Sequence, residues 1–152
     1  MSGPVRIATV ETEPQLELLL PLMRAYCDGY GVHPGDAALL SMSRALIAAP
    51  PHEGVQLLAT IDSHAVGFAT LFWTWATTIA ARIAVMNDLF VAREARRAGV
   101  GVALIDACRR RAREHGARRL TWQTAPDNHR AQAVYDRVGA TREQWTDYWL
   151  AC

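Results

Sequence analysis

The sequence predicts an α/β domain in which a sheet is layered against helices, and three observations indicate this fold class. Apolar side chains recur at helical spacing in residues 15–30. Two strand-like runs flank a short turn at residues 62–64, as in a β-hairpin. A further strand-like run ends in a glycine-bearing loop that leads into a long amphipathic helix. With 152 residues, the chain is predicted to form one such domain over residues 1–152.

Taken in order, the segments between turn signals define the remaining elements. The strand-like runs are residues 5–10, 54–61, 65–75, 79–91, 118–124 and 141–150. The helical segments are residues 15–30, 36–48, 100–115 and 128–138. Thr12 offers an N-cap for the first helix, and Gly31 and Gly116 stand where the first and third helices end. A first strand is therefore followed by two helices and then by three strands, and strands and helices alternate only after residue 91.

The composition argues against several classes of protein. Hydrophobic residues make up 51% and charged residues 20%, which is typical of a soluble globular domain. A net charge of +1 argues against a general nucleic-acid surface, and no apolar run reaches membrane length or resembles a signal peptide. Cys27, Cys108 and Cys152 are widely spaced, and the histidines lack ligand spacing. We therefore expect a cytoplasmic protein with no metal, no nucleic-acid partner and no membrane association.

The loop before the third predicted helix has the chemistry of an anion site. Gly99 and Gly101 follow a strand and open a helix, whose first N–H groups lack partners and carry the positive end of the helix dipole. Arg96 and Arg97 add positive charge. The dinucleotide-binding fingerprint requires a third glycine, and Leu104 stands at that position. The mononucleotide P-loop requires a Gly-Lys-Ser/Thr ending, which this loop lacks. The loop therefore predicts a pyrophosphate site of another type.

Two motifs in order resemble those of the GNAT superfamily of N-acetyltransferases. The run Arg96-Arg-Ala-Gly-Val-Gly101 is similar to the family's coenzyme A loop. Downstream, Asn128 opens a short helix, Tyr135 lies about two turns later, and Gly139 follows the helix. Arg97 occupies a position where the family often has glycine, and the segment after Gly139 is short for two strands. The resemblance implies a GNAT-like α/β fold: a mixed, mostly antiparallel central sheet of six to seven strands, flanked by four helices.

The resemblance also implies acetyl-CoA as co-substrate and assigns residues to it. The backbone of residues 89–91 would pair with the pantetheine arm, and the loop 96–101 would take the pyrophosphate. Asn128 would contact the pantetheine or the helix start. The implied coenzyme-binding residues are Leu89, Phe90, Val91, Arg96, Arg97, Ala98, Gly99, Val100, Gly101, Asn128, Ala131, Tyr135 and Arg137. Asn128 can equally act as a plain N-cap, and Arg137 as a solvated surface arginine.

Tyr135 and Asp88 are the predicted catalytic residues. By resemblance, the Tyr135 hydroxyl would protonate the leaving thiolate. The alternative is a tyrosine packed on Val134 and Val138. Asp88 precedes the pantetheine strand, where it could draw a proton from the amine through water or bind a cationic substrate. The alternative for Asp88 is an ion pair with an arginine such as Arg82.

An aromatic acceptor pocket is predicted around Asp88. Tyr26 and Tyr30 lie one turn apart on the first helix, and Trp73 and Trp75 share one face of a strand. Aromatic faces beside a carboxylate suit an ammonium group, although the rings can also be ordinary core. Residues 122–124 and 128–132 are similar to the GNAT branch that contains histone and polyamine acetyltransferases, which accept small amines or basic peptide tails.

The sequence and the resemblance thus favour transfer of an acetyl group from acetyl-CoA to a primary amine in a ternary complex. A small-molecule amine is favoured over a protein. Two alternatives remain open: acetylation of protein lysines or N-termini, and a non-catalytic acyl-CoA-binding sensor. The last predicted strand is rich in aromatic residues, from Trp145 to Leu150. Because an exposed edge strand seeks a partner, we expect a homodimer that pairs or exchanges this strand.

Overall fold

The computed structural model describes residues 3–152, which form one five-stranded sheet with helices on both faces. The strands are β1 (Arg6–Thr9), β2 (Gly54–Ile61), β3 (His64–Ala76), β4 (Ala81–Val91) and β5 (Arg119–Thr121). The helices are α1 (Glu13–Gly29), α2 (Asp36–Ala48), α3 (Val100–Glu114) and α4 (His129–Arg137). Short 3₁₀ turns at Thr77–Ile79 and Arg93–Ala95 flank β4. The predicted α/β class and the four helices are confirmed.

The strand order in the sheet is β1-β2-β3-β4-β5. Strands β1 to β4 run antiparallel to one another in sequence. β5 is parallel to β4, and α3 forms the crossover between them. The predicted hairpin is present, with Ile61 opposite His64 and positive φ angles at Asp62 and Ser63. A mixed and mostly antiparallel sheet is therefore the observed arrangement.

The prediction of six to seven strands is wrong, since the sheet has five. The segment 141–150 forms no strand, although its side chains are of strand type. Within the described residues, β5 at the adjoining sheet edge is three residues long and offers a very short ladder, and the segment pairs with no strand. Trp145, Tyr148 and Trp149 are consequently more than four-fifths exposed.

The two faces of the sheet are covered by different helices. On one face, α3 packs its buried side chains, including Leu104 and Cys108, against Leu57 and Leu71 of the sheet. On the other face, α1 and α2 cover Leu58 and Phe68. We refer to these as the α3 face and the α1/α2 face. Residues that alternate along a strand are thereby divided between two separate cores.

Gly67 on β3 allows α3 to lie close to the sheet. A Cβ atom at this position would stand 2.6 Å from the carbonyl oxygen of Phe90 and 3.3 Å from side-chain atoms of Val100 and Leu104. No side chain fits there without displacing backbone. The glycine therefore fixes the position of the first turn of α3 relative to β4.

A β-bulge in β4 changes which face its residues point to. Thr70 on β3 is paired with Asp88, whereas the next residue, Leu71, is paired with Met86, so Asn87 is the extra residue. Met86 packs on the α3 face. Beyond the bulge, Asp88 shares the α1/α2 face with Thr70. The bulge thus moves the Asp88 carboxylate away from the apolar core beneath α3.

The outer half of β4 is open on the side of β5. The two strands pair only between Ile83–Val85 and Arg119–Thr121, while β4 continues to Val91. Within residues 3–152, no strand pairs with the β5 side of residues 86–91. The backbone groups of β4 therefore have no partner strand on this side, and we refer to the space between residues 86–91 and the chain that follows β5 as the groove.

Candidate active site

The groove ends at the start of α3. Gly99 is the N-cap of this helix in the left-handed conformation (φ 77°), and the first intrahelical bond at this end runs from Ala103 N–H to the Gly99 carbonyl. The preceding N–H groups have no partner within the helix and point out of its positive end. Residues 96–99 are exposed, so an anion can reach these donors from solvent.

The two arginines of this loop have different roles in its conformation. Arg96 Nε donates a hydrogen bond to the Val91 carbonyl at 3.2 Å, which ties the loop to the end of β4. Arg97 has φ 70°, a left-handed conformation that costs an ordinary side chain about 1 kcal/mol. This strain explains why glycine suits position 97 in the family pattern. The exposed guanidinium of Arg97 remains available for a phosphate.

At Gly101, three elements meet beside the groove. A Cβ atom there would lie 3.8 Å from Val91 Cγ2 and 4.0 Å from Val134 Cγ1, which is ordinary van der Waals contact. The first turn of α3 is therefore packed between β4 and α4. This contact places the Asn128–Tyr135 helix next to the anion-binding loop.

Tyr135 is partly buried on the inner side of α4. Its ring packs edge-on against Trp122 at 5.2 Å between centroids. Burial raises the pKa of the Tyr135 hydroxyl; a hydrogen bond with Thr124 opposes this shift, and the nearby Tyr30 adds to it. The phenol therefore stays protonated at neutral pH, as a proton donor requires.

Asn128 holds the start of α4 and also orders the surroundings of Tyr135. Its Oδ1 accepts from the Ala131 N–H at 3.3 Å, and its Nδ2 donates to Thr124 Oγ1 at 3.2 Å. Asn128, Thr124 and Tyr135 are thus linked through one hydroxyl. Sequence reasoning missed Thr124, because a single threonine after a short strand carries no recognisable signal.

Asp88 lies beside the tyrosines of α1. The pKa of the Tyr26 hydroxyl is raised mainly by burial, and further by the charge of Asp88 and by hydrogen bonding with Tyr30 and Asp88. Asn87 Nδ2 donates to Asp88 Oδ1 at 3.0 Å. Arg82, the alternative partner considered for Asp88, lies 4.8 Å from the ring centroid of Trp75. Asp88, Tyr26 and Tyr30 therefore form one polar cluster. Tyr30 also contributes to the raised pKa of the Tyr135 hydroxyl.

Aromatic rings form the floor of this cluster. The Tyr26 ring lies edge-on to Tyr30 at 5.1 Å, to Phe68 at 5.8 Å and to Phe90 at 6.2 Å. Phe90 belongs to the α1/α2 face, while Leu89 and Val91 pack on the α3 face. An acceptor that approaches Asp88 would therefore meet aromatic side chains as well as a carboxylate.

The structure does not bring the two tryptophans of β3 into this cluster. Trp73 is buried on the α3 face, where it stacks on His115 at 4.1 Å and donates from Nε1 to the Pro50 carbonyl at 2.8 Å. Trp75 is exposed and lies farther along the same strand. Arg137 is exposed in the last turn of α4. Of the predicted acceptor residues, only Tyr26, Tyr30 and Asp88 come together.

Residues 3–152 hold no group of three or more histidine, cysteine, aspartate or glutamate side chains arranged to bind a metal ion. None of the helices in this part of the chain combines the length and apolar character needed to cross a membrane.

The fold is an α/β sandwich in which α3 begins with exposed residues beside the unpaired side of β4. The chain belongs to the acetyltransferase (GNAT) family, whose model matches residues 19–140. An uncharacterized N-acetyltransferase, YhfO of Bacillus subtilis, is 38% identical over 88 residues, or 58% of this chain and 59% of the relative. The yeast D-amino-acid N-acetyltransferase HPA3 (Saccharomyces cerevisiae) is 33% identical over 107 residues, or 70% of this chain and 66% of the relative.

Solved structures share the fold along almost the whole chain. A probable acetyltransferase superposes with a TM-score of 0.83 at 31% identity, and the match covers 97% of both chains. The aminoglycoside N-acetyltransferase AAC(6')-Iy, in complex with CoA, has a TM-score of 0.84 at 24% identity. That match covers 100% of this chain and 98% of the other. These structures confirm the GNAT-like architecture.

Proposed function

We propose that the protein is an acetyl-CoA-dependent N-acetyltransferase that acts on a primary amine of a small molecule. One observation carries this proposal: Asp88 of β4 lies with Tyr26 and Tyr30, and Tyr30 is near enough to Tyr135 of α4 to affect the pKa of its hydroxyl. The coenzyme would lie in the groove, with its pyrophosphate on the N–H groups of residues 97–101 and its pantetheine arm along residues 89–91. Arg96 and Arg97 would supply charge, and the α4 residues Asn128, Ala131 and Arg137 would border the coenzyme.

The proposed reaction is a direct transfer in a ternary complex. The neutral amine nitrogen attacks the thioester carbonyl, a C–N bond forms, and the C–S bond breaks. Asp88 takes the amine proton, directly or through a water molecule. Tyr135 donates its phenolic proton to the departing thiolate, which is consistent with the raised pKa of this hydroxyl. The products are an N-acetylated amine and free coenzyme A.

The acceptor class follows from the cluster around Asp88. A carboxylate next to two tyrosine rings favours a cationic amine that is deprotonated on binding. Two relatives act on small molecules by their names, a D-amino acid in one case and an aminoglycoside in the other. Membership in the histone and polyamine acetyltransferase branch stays a prediction, and so does acetylation of protein lysines.

The proposal is tested by incubating the protein with acetyl-CoA and a pooled set of amines, followed by mass spectrometry. The pool contains diamines, polyamines, D- and L-amino acids, aminoglycosides and a basic peptide. A product heavier by one acetyl group identifies the acceptor. Tight acetyl-CoA binding without any product would favour the sensor alternative. Absence of both binding and product would refute the proposed function.

The variant Tyr135→Phe tests the assigned general acid. It is expected to lower kcat about 100-fold while acetyl-CoA binds as before, because only a proton donor is lost. Tyr148→Phe is the matched control, since Tyr148 is 91% exposed. An unchanged kcat in Tyr135→Phe would remove this residue from the mechanism.

We further propose that the protein works as a homodimer through its C-terminal segment, residues 141–152. This segment exposes Trp145, Tyr148, Trp149 and Leu150, a contiguous apolar surface that a second copy would cover. Light scattering of the full chain and of a chain ending at Arg142 tests this. A monomeric shortened chain supports the proposal, and a dimer of unchanged stability contradicts it.

The proposed location is the cytoplasm. The thiols of Cys27, Cys108 and Cys152 are free, as is common in a reducing compartment. Localisation of a tagged chain by fluorescence microscopy, with cell fractionation as a second measure, checks this assignment.

A further inference from the structure

A cavity of about 270 Å³ lies at the end of the sheet, away from the coenzyme groove. It is bounded by the end of β1, the middle of α2, the start of β2 and Arg111 of α3. Its volume is far above the roughly 30 Å³ that one water molecule takes up in the liquid. The cavity is therefore large enough for a small organic molecule.

Two buried polar atoms on its wall have no hydrogen-bond partner. They are Gln56 Oε1 and Arg111 Nε, and within residues 3–152 no other buried side-chain nitrogen or oxygen shares this condition. Buried polar groups in folded proteins are almost always paired, because an unpaired one costs about 1–3 kcal/mol. Both exceptions border the same cavity, which indicates that its occupant supplies their partners.

The amide of Gln56 is held by other contacts. Its Nε2 lies 3.3 Å from Thr70 Oγ1 and 3.7 Å from Met23 Sδ, and the residue is 2% exposed. These contacts orient the amide and leave Oε1 as an acceptor. The occupant must therefore carry an O–H or N–H donor.

Arg111 adds the opposite requirement. Its Nη1 donates a hydrogen bond to Glu114 Oε2 at 2.9 Å, and its Nε–H has no acceptor. A guanidinium prefers an ionised acceptor such as a carboxylate. Glu11 also borders the cavity, but it is exposed and stands at the mouth, where solvent screens its charge. The occupant therefore combines an anionic group with a donor.

Most of the remaining wall is aliphatic, and Thr9 and Ser43 are its other polar residues. Val10, Leu46 and Val55 are each 4% exposed and line the cavity together with Ile47. Such a wall favours a short branched hydrocarbon over a sugar or a polyamine.

We propose that this cavity is a second, non-catalytic binding site for a small aliphatic carboxylate that bears a hydroxyl or amino group next to the carboxylate. The carboxylate accepts from Arg111, the adjacent donor binds Gln56 Oε1, and the hydrocarbon lies against α2 and β2. Gln56, Thr70 and Asp88 stand in register across three strands, so the site adjoins a buried polar row that leads to the acceptor cluster.

The test uses α-hydroxyisovalerate as the probe, since it has no amine and cannot serve as an acceptor. Binding to the full chain is measured by saturation-transfer NMR and calorimetry without acetyl-CoA, so that failure of the proposed enzymatic activity does not affect the result. Two analogues accompany the probe: isovalerate lacks the hydroxyl, and α-hydroxyisovaleramide lacks the charge. Both analogues are expected to bind at least tenfold more weakly than the probe.

Two variants assign the binding to this cavity. Arg111→Lys keeps the charge but removes Nε–H, and it is expected to lower the affinity for the probe at least tenfold. Arg109→Lys is the matched control on the exposed surface of the same helix. Ile47→Phe fills the cavity and should abolish binding in a protein whose unfolding temperature shows that it is folded. Failure of the wild-type protein to bind millimolar probe, or equal affinity in wild type and Arg111→Lys, would overturn the proposal.

Discussion

The two faces of the sheet differ in the kind of side chain they bury. The α3 face is apolar, with Leu71, Leu104 and Cys108 fully enclosed. The α1/α2 face also has an apolar core, yet it holds Gln56 and Thr70 in the sheet and ends in the Asp88 cluster. We infer that the α3 face supplies most of the free energy of unfolding. The α1/α2 face holds polar groups that the proposed reaction uses.

The largest expected effect comes from breaking the apolar face. Leu104→Ala removes a fully enclosed side chain between α3 and the sheet and should lower the free energy of unfolding by about 2–5 kcal/mol. Urea denaturation measures it. A loss below about 1 kcal/mol would mean that the α3 face is not the main source of stability.

A change on the polar face should act on catalysis instead. Asp88→Asn is expected to lower kcat/KM for the acceptor about 100-fold, because the amide cannot take the amine proton. The free energy of unfolding should change by less than about 1 kcal/mol. Asp106→Asn, on the exposed side of α3, is the matched control. Steady-state kinetics and urea denaturation measure the two effects. The comparison would be reversed if Asp88→Asn lost much of its free energy of unfolding while its kcat/KM changed little.

The buried polar row offers an intermediate case. Thr70→Val keeps the shape of the side chain but leaves Gln56 Nε2 without its oxygen acceptor, at a cost of about 1–3 kcal/mol in urea denaturation. The double variant Thr70→Val with Gln56→Leu should recover part of this loss, because no buried donor then remains. Equal stability of the wild type and Thr70→Val would show that this hydrogen bond contributes nothing.

The smallest effect is expected at His115, which stacks on Trp73 at the far end of the α3 face. Its pKa is lowered, first by burial and then by the charges of Arg82 and Arg111 and by His52. The unfolded chain therefore binds the proton more readily than the folded chain. His115 contributes its full stability above its unfolded pKa of about 6.5, and this contribution falls as the pH drops toward the folded pKa. Thermal unfolding between pH 7.5 and 5.0 should show a shallower pH slope in His115→Gln than in wild type.

Features with a local signature in the chain could be predicted from sequence. Gly99 is needed where the backbone turns left-handed before α3, and Asn128 caps α4 with its own side chain. The spacing of Tyr26 and Tyr30 follows directly from one helical turn. The role of each of these residues depends on backbone within a few positions of it, so the local sequence is enough to predict the local structure.

Features that depend on distant partners could not be predicted. The polar cluster needs α1 to cross β4 near Asp88, and no spacing within either segment contains that information. Trp73 fits an aromatic pocket by alternation, but the pattern does not say which helix covers that face. The segment 141–150 has strand-type residues, and only the fold reveals that it pairs with no other strand. Pairing partners, unlike local propensity, are set by the whole chain.

The extra residue at Asn87 has a consequence for comparing this chain with its relatives. Met86 and Asp88 pair with Leu71 and Thr70, which are consecutive on β3. In a strand without Asn87, the residue after Met86 would therefore already lie opposite Thr70 and point to the α1/α2 face, because adjacent side chains of a regular strand alternate. A relative that lacks the bulge thus keeps its equivalent of Asp88 on that face. An alignment of the two sequences needs a gap at position 87, and without this gap it would match Asp88 with a core position beneath α3.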